Sequence, residues 1–182
     1  MSIVFKGDKE IKKVASLLQN VPNAMPKAVS RAANRAIQSA RTQGVKTARS
    51  EYLIKAGDVK ATLSISKAST SFLSASIRSS GRPISLKKFK TSKNRKGIRA
   101  KVKKTGGKTI PKAFFTTMKN SHQGVFIRKG KERYPIENLH GPSAPQTLGN
   151  EKVTQAMEKR AQEQFETRLI HETGRLLKGM SK

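Results

Sequence analysis

Cysteine is absent from all 182 residues. No disulfide, thiolate metal site or thiol nucleophile can form, which suits a reducing compartment. Tryptophan is also absent, and aromatics make up 5% of the chain. Apolar residues reach only 35%, so the core must be built mainly from Ala, Val, Ile and Leu. A modest core and an elongated or partner-supported shape are expected. No run approaches the roughly 20 apolar residues that span a bilayer. The stretch Met1-Ser-Ile-Val-Phe-Lys6 lacks the apolar segment of a signal peptide. The expectation is cytoplasmic synthesis and no membrane insertion.

The most informative absence is negative charge. Val59 to Lys131 is a 73-residue run with twenty Lys and Arg and no Asp or Glu. The rest of the chain has nineteen basic residues against eleven acidic ones. So 20 of the 28 net positive charges fall in this middle run. Like charges at that density repel and oppose folding. They are tolerated when solvated, disordered or set against a polyanion. The run shows no strongly apolar helix face of the kind a basic membrane helix needs. Nucleic acid is therefore the better-fitting polyanion.

No enzyme constellation is present. The acids are scattered, and His122, His140 and His171 lack ligand spacing. His122 and His140 read as turn residues and His171 as a helix-surface residue. No Ser stands in a G-x-S-x-G elbow. Gly106-Gly107-Lys108-Thr109 lacks phosphate-loop spacing and reads as a hairpin turn. No metal, catalytic residue or cofactor is expected. Direct base readout needs a recognised module, and none is visible. Phe72, Phe89, Phe114, Phe115 and Phe126 are spread out and read as core residues. What remains is sequence-independent attraction to phosphate.

Along the chain, Ser2 to Phe5 suits a short strand. Asp8 can cap a helix carrying Ile11, Val14, Leu17, Leu18 and Val21. A longer helix is predicted from Pro26 to Ser50. It places Ala28, Ala32, Ala36, Ala40, Gly44 and Ala48 four apart, a small stripe that permits close approach. Packing within one chain explains the stripe more simply than a subunit interface. Gly57-Asp58 starts a helical turn. Thr62 to Ser80, Ile84 to Lys90 and Ile98 to Lys104 are candidate strands. In the last of these, Ile98, Ala100 and Val102 alternate with Arg99, Lys101 and Lys103, leaving an entirely cationic outer face. Gly124 to Arg128 is a compact strand. Tyr134 to Gly149 carries Pro135, Pro142 and Pro145 and is expected to be irregular. Asn150 can cap a last helix with the stripe Val153, Met157, Ala161, Phe165, Leu169, Leu176 and Met180.

The fold class is α+β: an antiparallel β-sheet packed by two N-terminal helices and a long C-terminal helix. One domain spans 1–182, with a helical part (1–58), a basic strand-rich core (59–133), a Pro/Gly-rich loop (134–149) and the C-terminal helix (150–182).

Several segments in the middle of the chain also carry a resemblance. These are Gly81-Arg82-Pro83-Ile84-Ser85-Leu86-Lys87-Lys88-Phe89, Gly97-Ile98-Arg99-Ala100-Lys101-Val102 and Ile110-Pro111-Lys112-Ala113-Phe114. They continue with Gly124-Val125-Phe126-Ile127-Arg128, Arg133-Tyr134-Pro135-Ile136 and Gly141-Pro142-Ser143-Ala144-Pro145-Gln146. In this order and spacing the chain resembles the prophage minor tail protein Z family of tailed bacteriophages. Tyr134 stands where the family pattern suggests Leu.

The resemblance implies a non-enzymatic virion protein that completes the head-proximal end of the tail. It implies assembly in the host cytoplasm. The implied partners are the tail terminator, tail tube or tape-measure proteins and neck proteins. The symmetry of such tails implies a homo-oligomeric ring, expected to be six-fold. The expected contact residues for genomic double-stranded DNA or an acidic partner are Lys87, Lys88, Lys90, Lys93, Arg95, Lys96, Arg99, Lys101, Lys103 and Lys104. Phe114, Val125, Ile127 and Ile136 are expected to pack the sheet. Arg128 or Arg133 could order the following loop by pairing with a carbonyl or carboxylate, and the Gly141-Pro142 turn with Pro145 is expected either to be an exposed docking loop or simply to route the chain into the last helix. The alternative is a free, sequence-independent nucleic-acid-binding protein.

Overall fold

The computed structural model describes residues 12, 14, 16, 17, 23–118, 121 and 123–178. The proposed strand at Ser2–Phe5 and most of the first helix lie outside the described residues, as do His122 and Met180. The remainder is mixed α and β with antiparallel pairing throughout. Two compact units form. The first draws on the described parts of Met1–Val45, Leu63–Ser79 and Gly149–Lys182, and the second on Lys46–Thr62 and Ser80–Leu148.

In the first unit, helix α1 (Ala24–Glu51, whose last turns enter the second unit) faces the long C-terminal helix. The small stripe is fully buried, with Ala28, Ala32, Ala36 and Ala40 at 0% exposure. A Cβ on Gly44 would lie 2.5 Å from Met157 Sδ of the C-terminal helix, so the stripe serves close packing within the chain. Arg160 Nε donates to Ser39 Oγ at 3.0 Å, and Arg31 pairs with Glu172 at 3.5 Å. Rising numbers on one helix meet falling numbers on the other, so the two run antiparallel. Strands β1 (Leu63–Ser66) and β2 (Ser76–Ser79) form a two-stranded ladder with Ile65 opposite Ile77. Asn34 holds the start of the connecting loop: its Nδ2 donates to the Ala68 carbonyl, and its Oδ1 accepts the Ala68 N–H.

The C-terminal helix buries Val153, Met157, Ala161, Phe165, Leu169 and Thr173 at four-residue spacing. Each large apolar side chain so buried contributes about 1.5–3 kcal/mol. Asn150 caps it as expected, its Oδ1 accepting the Lys152 N–H at 3.2 Å.

The second unit holds the rest, beginning with α2 (Ala56–Lys60), the short helical turn expected around Gly57-Asp58. The strands are β3 (Pro83–Ser85), β4 (Lys90–Asn94), β5 (Gly97–Lys101), β6 (Lys108–Pro111), β7 (Phe114–Thr117), β8 (Gln123–Arg128), β9 (Ile136–Asn138) and β10 (His140–Ser143). They form three ladders: β3–β10, β4–β5–β6 and β7–β8–β9. A helix α3 (Ala144–Leu148) follows, and the C-terminal helix is α4 (Glu151–Lys178). The core of this unit includes Phe89, Ile98, Val125, Phe126 and Leu148.

The structure departs from the expected elements at three places. Ile84 to Lys90 is not one strand, because a 3-10 turn at Leu86–Lys88 interrupts it and inserts Leu86 and Phe89 into the core. The stretch 134–149 is more regular than its prolines suggested. Pro142 is accommodated because β10 pairs with β3 only at His140–Ser85 and Ser143–Pro83, with an irregular register between, where no ladder donor is required. Gly141 and Pro142 are half-buried rather than an exposed loop. A Cβ on Gly141 would lie 2.6 Å from the Phe89 ring, so glycine there seats that ring.

Candidate functional site

The second unit carries twenty-two Lys and Arg against four Asp and Glu. Its cations are organised chiefly by the β4–β5–β6 ladder. Asn94 pairs with Gly97, so Arg95 and Lys96 form a two-residue hairpin turn. Asn94 Oδ1 accepts the Arg95 N–H at 2.7 Å, and Gly97 adopts φ +146°. Left-handed φ favours glycine.

Register then sorts the side chains, since residues directly opposite in a ladder share a face. Ile98 and Ala100 are buried, and they share their face with Lys93, Lys108 and Ile110. Lys90, Arg99 and Lys101 project to the other side, with Lys90 directly opposite Lys101 and Arg99 opposite Ser92. The alternation predicted for 98–104 is observed over 98–101, where β5 ends; Val102 lies outside the ladder and Lys103 makes only an isolated bridge. Lys93 departs from it, lying on the Ile98 side at the edge strand, where it is still exposed.

The other predicted contact residues flank this ladder. Lys103 bridges Tyr52, with its Nζ 5.8 Å from that ring, and the Lys104 N–H donates to the Glu51 carbonyl at 2.9 Å. Lys87 and Lys88 sit on the 3-10 turn. Lys88 Nζ meets Asp58 Oδ1 at 2.8 Å, and Lys87 Nζ donates to Gln123 Oε1. Among the described residues, Lys88 is the one member of the ten that pairs with a carboxylate. Both groups are partly exposed, so that pair contributes roughly 0–1 kcal/mol. The remaining nine form no ion pair among the described residues. Lys90 opposite Lys101 is a like-charge pair of the destabilising kind, and a bound anion would relieve it.

The motif residues 82–145 all fall in the second unit, and many act through packing. Val125 is fully buried and Ala113, Phe89 and Phe126 nearly so. Ile110, Phe114, Ile127 and Ile136 are half-buried; Arg82, Pro83, Pro111, Arg133 and Pro135 are exposed, and Pro145 is half-buried. A Cβ on Gly124 would lie 2.8 Å from Asn138 Oδ1 and 2.9 Å from the Phe126 ring. Among the described residues, neither Arg128 nor Arg133 pairs with a carbonyl or carboxylate of the following loop. Arg128 stacks on Phe114 at 4.8 Å and Arg133 on Tyr134 at 5.7 Å. Lys129 holds the loop instead: its N–H donates to the Pro135 carbonyl, and its Nζ lies 3.5 Å from Glu137.

The aromatic expectation also needs correction, because Phe72 is 68% and Phe115 41% exposed. His140 and His171 are exposed, although His140 opens strand β10 rather than standing in a turn. Among the described residues, no group of three or more His, Cys, Asp or Glu could hold a metal ion, and no helix is long and apolar enough to cross a membrane.

No curated protein and no solved structure matches this chain. The sequence model of the family described as Prophage minor tail protein Z (GPZ) matches residues 6–180. That span covers nearly the whole chain and contains both units, so the chain belongs to the prophage minor tail protein Z family, structural components of the phage tail.

Proposed function

We propose that this chain completes the head-proximal end of the tail, where it supports head–tail joining and DNA passage. It acts there as a homo-oligomeric ring, six-fold in keeping with tail symmetry, among the tail terminator, tail tube or tape-measure proteins and neck proteins. The observation that carries this reading is the cationic face of β4–β5, with Lys90 opposite Lys101, Arg99 beside them, and none of the three in an ion pair among the described residues. Duplex DNA presents about one negative charge per 1.7 Å of axis. A ring repeating this face toward a lumen would meet that charge from every side and relieve its own repulsion. The contact needs no sequence readout and no catalysis.

Removal of the chain from the phage tests the role. Filled heads and full-length tails should accumulate separately, and added protein should restore joining. Joined, infectious particles without the chain would favour the alternative of a free nucleic-acid-binding protein. A complete lack of tails would place its action earlier in tail building and contradict the completion role.

A further inference from the structure

A second cationic feature of the same unit is a concave site rather than a face. A groove of about 450 Å³ is lined by Lys93, Arg95 and Lys96 from the β4–β5 hairpin, Lys112 from the β6–β7 connection, and Arg128, Phe114 and Phe115. None of its lining side chains is a carboxylate. Two contacts preorganise it. The Lys112 N–H donates to the Lys96 carbonyl at 3.1 Å, joining the hairpin tip to the connection. The Arg128 guanidinium is stacked 4.8 Å from the Phe114 ring centre, which fixes that wall. Phe115 remains 41% exposed, although its ladder partner Val125 is fully buried.

Cations alone would suit any polyanion. An exposed aromatic face among them is more selective. Sites for unpaired nucleic acid combine a cationic track for the backbone with aromatic faces on which bases stack. A duplex keeps its base faces stacked internally and offers Phe115 nothing to face. We propose that this groove binds an unpaired strand of DNA, with phosphates among Lys93, Arg95, Lys96 and Lys112 and one base against Phe115. The inference rests on the reading that the basic segment meets DNA, and it adds a site for strand ends or locally opened duplex.

The test is a titration of the full chain with an oligodeoxythymidylate of about eight nucleotides, within the range of single-strand site sizes. The comparison ligands are a duplex with the same number of phosphates and inorganic polyphosphate. Phe115→Ala should weaken oligodeoxythymidylate binding about 5- to 150-fold, the loss expected for one stacked base. It should leave polyphosphate and duplex binding unchanged, and Phe115→Trp should retain strand binding. Arg95→Gln with Lys96→Gln should weaken the strand and lower its logarithmic salt slope by about 1.4. Equal oligonucleotide binding by Phe115→Ala and the unaltered protein would overturn the proposal. So would a parallel loss of polyphosphate binding. Arg95 and Lys96 lie exposed at a turn, so their double variant folds whatever becomes of Phe115→Ala, and unchanged strand binding by it also overturns the proposal. No phage particle enters these titrations, so their failure is distinguishable from failure of the head–tail role.

Discussion

Gly97→Ala is expected to collapse the basic ladder. A Cβ at this position would lie 2.1 Å from the Ile110 carbonyl oxygen and 3.1 Å from the Lys112 nitrogen. Both are backbone atoms of the neighbouring strand and its exit, so no side chain can swing aside. The residue also holds φ +146°, a conformation that costs a side-chain-bearing residue about 1–3 kcal/mol. The clash adds about 1–3 kcal/mol when the backbone shifts to relieve it. Together these take away much of the stability of a small domain, about 5–15 kcal/mol in total. Denaturant titration should show a midpoint far below that of the unaltered chain. Gly106→Ala separates the two causes, because Gly106 has φ +81° with nothing within 4 Å of a new Cβ. It should cost only the conformational part. Equal stability of Gly97→Ala and the unaltered chain would show that neither the left-handed backbone at Gly97 nor its close approach to β6 constrains the ladder.

The largest functional effect is expected from Lys90→Gln, Arg99→Gln, Lys101→Gln and Lys104→Gln combined. None of these side chains forms an ion pair among the described residues, and Lys90, Arg99 and Lys104 are exposed. Surface changes of this kind shift stability by about 0.5 kcal/mol or less each. Easing the repulsion between Lys90 and Lys101 acts in the stabilising direction. Folding should therefore survive. Duplex binding should not. At about 0.15 M salt each lost phosphate contact costs about fivefold, so four cost on the order of 10²–10³-fold and flatten the salt slope by about 3.6. Phage carrying the four substitutions should assemble tails but join heads poorly or fail to retain DNA. Full infectivity would remove the cationic face from the account.

Much of this was legible in the sequence, where packing followed a simple period. The stripe Val153, Met157, Ala161, Phe165 and Leu169 announced α4, and the small stripe of α1 announced a close helix contact. The alternation of Ile98 and Ala100 with Arg99 and Lys101 announced β5. Its partner β4 was not visible, because Lys-Thr-Ser-Lys-Asn is an edge strand with a single half-buried residue and no apolar period. Thr173 was missed in the α4 stripe for a different reason. It is polar, but its Oγ1 donates to the Leu169 carbonyl at 2.7 Å, which lets it occupy a core position. The 3-10 turn at Leu86–Lys88 looked like strand because Ile84 and Leu86 stand two apart, the period of a strand. The groove was hidden because it joins the β4–β5 hairpin, the β6–β7 connection and residues of β7 and β8 that lie apart in sequence. The exposure of Phe115 follows from tertiary packing alone.

The measurement that tests the central claim most directly is a reconstruction of the assembled particle at the head-proximal end of its tail. The account predicts a closed ring of this chain there, with Lys90, Arg99 and Lys101 of every copy turned toward the lumen and within reach of DNA phosphates. Density for the chain at the far end of the tail, or a ring whose β4–β5 face points outward to solvent, would contradict it.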